Sequence, residues 1–184
     1  MEEFADLTER QLSTRNIYDG TILHVRVDEV SLPGGGRAPR EYLRHIGAVC
    51  VLPLLEGGRV LIERQYRYPV GQVITEIPAG KLDAPDEDPE LAARRELREE
   101  TGAVADELVP LGLFYPACAY SDEAIHMYLA RGIRFGEREL DEDEFLNLAE
   151  VPLSELVEDV MAGRIPDAKT QIAVLKAARL LGAL

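Results

Sequence analysis

The stretch from Glu76 to Ala103, EIPAGKLDAPDEDPELAARRELREETGA, constrains this chain more than any other. It predicts a tight Pro-Ala-Gly turn followed by a short helix crowded with carboxylates. Asp88 before Pro89 is a helix start, a side-chain acceptor and then a residue whose missing N–H costs nothing there. Gly102 is the matching stop. Glu96, Glu99 and Glu100 stand at i, i+3 and i+4, which places them on one arc of roughly 100°. Like charges at such spacings weaken a helix. Arg94, Arg95 and Arg98 offset part of that repulsion, and a divalent metal would offset it better. The alternative is a solvated charged face.

At 184 residues the chain fits one domain, or a main domain with a small attachment. An apolar content of 46 % suffices for a sizeable core. The net charge of −14 argues against a nucleic-acid backbone or an anionic membrane as partner. No apolar run approaches the ~20 residues of a membrane span, and Met-Glu-Glu is unlike the basic start of a signal peptide. A cytoplasmic protein is expected. Cys50, inside AVCVLPLL, reads as a buried core thiol, Cys118 lies in a loop, and no disulfide framework is implied.

Residues 1–15 are polar with little period; Leu7 and Leu12 could anchor a short helix or nothing. Residues 20–30 alternate as a half-buried strand, and after the Pro33-Gly34-Gly35-Gly36 turn a second strand through Glu41 to His45 should pair back as a hairpin. His24 and His45 read as surface or hydrogen-bonding residues rather than metal ligands. The apolar run from Ala48 to Leu55 belongs in the centre of a sheet. Glu56-Gly57-Gly58 turns the chain into a returning strand from Arg59 to Tyr68, which ends in ERQYRY. That end is either an edge strand with snorkelling cations or a place where Arg meets phosphate and Tyr stacks on a base. Further strands are expected at Val73 to Ile77, Leu108 to Tyr115 and Ala124 to Ala130, and residues 137–144 are an acidic block. Two amphipathic helices should close the chain. They cover roughly 153–162 and 167–181, the second capped by Asp167 with Ile172, Val174, Leu175, Ala178 and Leu181 on its apolar face.

The pattern Arg95-Glu96-Leu97-x-Glu99-Glu100-x-Gly102, with Glu87 eight positions before Arg95 and Gly80 upstream, resembles the Nudix box. That box marks enzymes that hydrolyse a nucleoside diphosphate linked to another moiety. Two positions depart from it: six residues, Lys81 to Asp86, separate the glycine from the first glutamate where the family has five, and Ala103 replaces a bulky aliphatic residue. The chain is similar to the ADP-ribose pyrophosphatase branch in RHIGAVCVLPL, RQYRYP, EIPAGK, FYPACAYSDE and GRIPDAKT, which together span nearly its whole length.

The resemblance implies an α+β Nudix fold, a mixed β-sheet in an α/β/α sandwich, with a small N-terminal antiparallel β hairpin domain. It implies an N-terminal β region over 1–45 exchanged between the subunits of a homodimer, and a hydrolase domain over 46–184. It further implies Mg2+, or Mn2+, held by Glu96, Glu99, Glu100 and the carbonyl of Ala79, with Gly80, Glu87, Arg95 and Gly102 bracing the box. Arg67, Glu76 and Arg64 become the substrate-binding candidates. The general base is sought in the acidic block, at Glu142 or else Glu144, with a box glutamate such as Glu100 the remaining choice. The reaction implied is cleavage of ADP-ribose to AMP and ribose 5-phosphate. A proline that marks this preference is replaced by Cys118, with Pro116 two residues early. Another nucleoside diphosphate sugar, UDP- or GDP-linked, therefore stays open as substrate. A nucleotide-sensing module is the third reading, disfavoured by the retained glutamates.

Overall fold

The computed structural model describes residues 6–140 and 145–183, which form two units: Met1–His45 with Ala117–Glu123, and Ile46–Pro116 with Ala124–Leu184. In the first unit, β1 (Arg10–Asp19), β2 (His24–Ser31) and β3 (Arg37–Arg44) form an antiparallel sheet in that order. The alternation seen in the sequence produces β2. The pairing strand begins at Arg37, earlier than its apolar residues announce, because Gly35 and Gly36 take positive φ and reverse the chain there. The strand β1 corrects the reading of residues 1–15. All ten of its residues are exposed, so it has no buried face to produce a period, and its register with β2 defines it instead. Asp28, buried in this sheet, accepts from Gln11 Nε2 at 2.8 Å and Tyr42 Oη at 3.1 Å. Both histidines make local polar contacts: His24 pairs with Asp19, and the His45 N–H donates to Asp122 Oδ1 at 2.7 Å.

The second unit is built on β4 (Ala48–Pro53), whose six residues are all buried. It lies in a sheet ordered β7-β4-β9-β8, antiparallel to β7 (Ala79–Lys81) and parallel to β9 (Ile125–Phe135), which pairs in turn with β8 (Ala103–Phe114). Alternate side chains of β4 feed two cores. Cys50 and Leu52 pack with α2 (Leu153–Met161) and α3 (Ala168–Leu180), while Val49 and Val51 pack with Ala92, Ala93 and Leu97 of α1 (Pro89–Thr101). The result is a helix–sheet–helix sandwich. Burial raises the Cys50 thiol to about 12, which leaves it inert. Among the described residues no helix is long and apolar enough to cross a membrane.

A second sheet holds β10 (Leu146–Pro152), β5 (Arg59–Arg67) and β6 (Gln72–Glu76). The strand β5 is central in it, which overturns the edge-strand account of ERQYRY, and its Val60 and Ile62 share the core of Cys50 and Leu52 while Leu54 and Val60 form an isolated bridge. Besides β1, two strands have no counterpart in the sequence reading. The short β7 contains the expected turn residues and is recruited by the open edge of β4, and β10 follows directly on the acidic block. The buried stripe of α3 is narrower than its large apolar residues suggested. It runs through Thr170, Ala173, Val174, Ala177 and Ala178, leaving Leu181 at the exposed end.

The start of α3 is fastened to the chain just after β6. Asp167 Oδ2 accepts from the Thr170 N–H at 2.9 Å and from Thr170 Oγ1 at 2.6 Å, and that hydroxyl accepts from the Ile77 N–H at 3.0 Å. Thr170 is fully buried. Thr170→Val keeps the shape, orphans the Ile77 N–H and removes one of the two donors to Asp167 Oδ2, so it is expected to cost about 2 kcal/mol in urea unfolding, while Thr170→Ser keeps most of the stability.

Candidate active site

Helix α1 is set by its ends. The Asp88 side chain accepts from the Glu90 N–H at 2.8 Å, Pro89 occupies the first turn, and Gly102 closes the helix at φ +71° with its N–H on Arg98 O at 2.8 Å. No other residue suits position 102, because a Cβ there would also press on the Gly136 carbonyl. The extra loop residue is absorbed in a turn closed by the Glu87 N–H on Ala84 O at 3.1 Å. Ala103 starts β8 fully buried among Ala92, Ala93 and Leu97, a site shaped for a small side chain.

The helix face carrying Glu96, Glu99 and Glu100 meets the backbone of β7. Glu100, 3 % exposed, accepts from the Ala79 N–H at 2.8 Å. The Glu96 carboxylate lies where a Cβ on Gly80 would sit, so glycine is required at that position. Arg95 gathers the surrounding acceptors. Its Nη1 donates to Glu96 Oε1 at 2.7 Å and Glu99 Oε2 at 3.2 Å, and its Nη2 donates to Lys81 O at 3.1 Å. Its Nε lies 3.2 Å from Asp83 and 3.5 Å from Glu87. Burial works to lower the Arg95 pKa, but Glu96, Glu87 and Asp83 outweigh it and hold the guanidinium charged.

Nudix hydrolases generally use divalent metal ions, and the donor chemistry here suits a hard cation: three carboxylates on one helix face, against a glycine-lined backbone. Their carboxylates are turned to Arg95 and to the Ala79 N–H rather than to one point, and among the described residues no three acidic, histidine or cysteine side chains converge on a metal position.

A second cluster lies where β5 and β6 end. Glu76, 2 % exposed, takes a two-point grip from Arg67, with Nε on Oε1 at 2.7 Å and Nη2 on Oε2 at 3.0 Å, and Lys169 from α3 contacts Oε2 as well. Burial alone would raise the Glu76 carboxyl, but Arg67 and Lys169 reverse that and hold it below its usual range. Opposite Glu76 in the ladder stands Glu63, itself fully buried. The Arg67 guanidinium is held charged chiefly by Glu76 and feels Glu63 and Glu100 as well, which ties this cluster to the face of α1.

The structure thus brings together Arg67, Glu76, Ala79, Gly80, Glu96 and Glu100, with Glu87, Arg95 and Glu99 around them. Arg64 is separated: it points from the exposed face of β5, with Tyr66, while Glu63, Gln65 and Arg67 point inward. Glu142 and Glu144 lie outside the described residues. Sequence reasoning missed Lys169 and Glu63. The parity of Leu61, Glu63, Gln65 and Arg67 on β5 was a usable sign for Glu63. For Lys169 the only sign was its place in GRIPDAKT, since its partner Glu76 lies 93 residues away in sequence.

Comparison with known proteins agrees with this geometry. The NUDIX domain family matches residues 43–172, and the nucleoside diphosphate sugar hydrolase N-terminal domain matches residues 9–43. The chain is 39 % identical over 170 residues to an ADP-ribose pyrophosphatase of Bacillus subtilis, covering 91 % of each chain. It is 41 % identical over 168 residues to the methanol dehydrogenase activator of Bacillus methanolicus, covering 90 % of each. A crystal structure of an ADP compounds hydrolase superposes with a TM-score of 0.85 over 97 % of both chains, at 22 % identity, which establishes the fold. The carboxylate helix, the glycine beneath Glu96 and the family match over most of the chain identify it as a member of the Nudix hydrolase family.

Proposed function

We propose that this protein hydrolyses the pyrophosphate bond of ADP-ribose, giving AMP and ribose 5-phosphate, with Mg2+ as the working metal and Mn2+ able to replace it. The observation that carries the reading is the adjacency of two kinds of group: the α1 carboxylates against the β7 backbone, and the Arg67 guanidinium paired with Glu76 at the end of β6, just before β7 in the chain. The first suits a cation that grips phosphate, the second suits the phosphate itself.

In this reading Glu96, Glu99, Glu100 and the carbonyl of Ala79 hold the metal. When bound, the ion neutralises the diphosphate and supplies a water of lowered pKa. Arg95 keeps the carboxylates and the loop from Lys81 to Glu87 in one arrangement, since its donors reach both. Arg67 meets the diphosphate or the ribose beyond it, Glu76 orients Arg67, and Arg64 offers a further cation from the exposed face of β5. Glu142, or else Glu144, takes the proton of the attacking water, whose oxygen bonds to phosphorus as the bridging P–O bond breaks. A UDP- or GDP-linked sugar is the second reading of the substrate, favoured by Cys118 in the exposed loop of 116–123.

The reading includes a cytoplasmic homodimer. It is supported by β1, a strand exposed along its whole length that carries Leu12, Ile17 and Tyr18. Light scattering at low micromolar concentration is expected to give twice the chain mass, and a monomer alone would remove the dimer from the reading.

AMP should appear fastest from ADP-ribose within a panel of sugar nucleotides, only with metal, and not in chelator. Faster turnover of another panel member moves the substrate and keeps the chemistry; no turnover of any compound would sink the hydrolase reading. Glu142→Gln is expected to lower kcat by about two orders of magnitude or more with KM little changed. Near-normal turnover in that variant passes the role to Glu144 or a box glutamate.

A further inference from the structure

Lys169 occupies a place that disfavours it. It sits in the first turn of α3, where the helix dipole repels a cation, and its side chain is only 11 % exposed. Two carboxylates make the place tenable: Glu76 Oε2, which it contacts directly, and Asp167 Oδ1 at 3.2 Å. Burial works against its charge, and these acids more than restore it. Arg67 alone already provides Glu76 with a bidentate partner, so satisfying Glu76 does not by itself require a second cation.

The geometry around Glu76 shows what the second cation adds. Glu76 takes Arg67 through Nε and Nη2, which leaves the Nη1 side of the guanidinium away from the pair, on a side chain 42 % exposed. The angle at which that side is presented follows the rotation of the Glu76 carboxylate. Lys169 fixes the rotation from the opposite element, α3, while Thr170 fastens the same turn to the Ile77 N–H. Lys169 also supplies a positive charge beside Glu76, whose partner across the ladder is the buried Glu63.

We propose that Lys169 is a positioning residue for substrate binding: it locks the Glu76 carboxylate so that Arg67 presents its outward nitrogen to the anionic diphosphate. This rests on the hydrolase reading above. Lys169 touches no reacting atom, so its loss weakens binding and spares the chemical step.

The test is steady-state kinetics on the full chain with the substrate it turns over best, together with thermal unfolding. Lys169→Met is expected to raise KM by about tenfold with kcat changed less than about twofold. Lys169→Arg, which keeps the charge, recovers most of the loss. The double variant with Arg67→Ala shows no further rise in KM over Arg67→Ala alone, because Lys169 acts through Arg67. An unaltered KM in Lys169→Met, a loss confined to melting temperature or kcat, or additive losses in the double variant would each overturn the proposal. If Lys169→Met does not fold, Lys169→Gln is judged by the same criteria. A chain that turns over no substrate takes away both this inference and the reading beneath it; an active chain indifferent to Lys169 takes away only this one.

Discussion

Burying negative charge is the constraint on which this structure turns. Glu63, Glu76 and Glu100 are almost wholly removed from water, and an ionised carboxylate in that position needs donors close at hand. The fold supplies them from many directions: a backbone N–H of β7 for Glu100, a guanidinium from β5 and an ammonium from α3 for Glu76. Each such pairing also joins two elements. The acids therefore act as fasteners, drawing α1 onto β7 and α3 onto the end of β6, while the apolar cores around β4 supply most of the burial that favours folding.

Arg95 plays the corresponding part on the more exposed side. Its planar, permanently charged donor set spans a carbonyl at the end of β7, two loop acids and two helix acids, an arrangement for which a lysine has too few directed donors. Charges that repel along α1 are thereby held near one another, which is the state in which carboxylates are useful to a cation. The helix tolerates this because its ends are well made and because Leu97, Ala92 and Ala93 anchor its other face.

What was legible in the sequence was local. The cap at Asp88, the stop at Gly102, the glutamate spacing and the apolar run of β4 each carry their meaning within a few residues, and each appears in the fold where it was expected. What was not legible depended on partners distant in sequence. The strand β1 has no buried face and shows itself only through pairing with β2; β7 is three residues long and exists because β4 has an edge to fill. The separation of Arg64 from Arg67 was legible in principle from strand parity, but two arginines in RQYR were read as one group. Lys169 met Glu76 through the packing of α3, which no local pattern reports.

The parallel pairing of β4 with β9 carries a consequence for the order in which the protein can form. Residues 48–53 leave the ribosome long before their neighbours at 125–130, and a parallel strand cannot be closed by a short hairpin. Throughout that interval β4, apolar on both faces, has an unmatched edge of the kind that seeds association between chains. The segments made in between, β7 and α1, occupy its other edge and one of its faces first. The helix that serves the site is thus also an early shield for an apolar strand whose parallel partner has not yet been made.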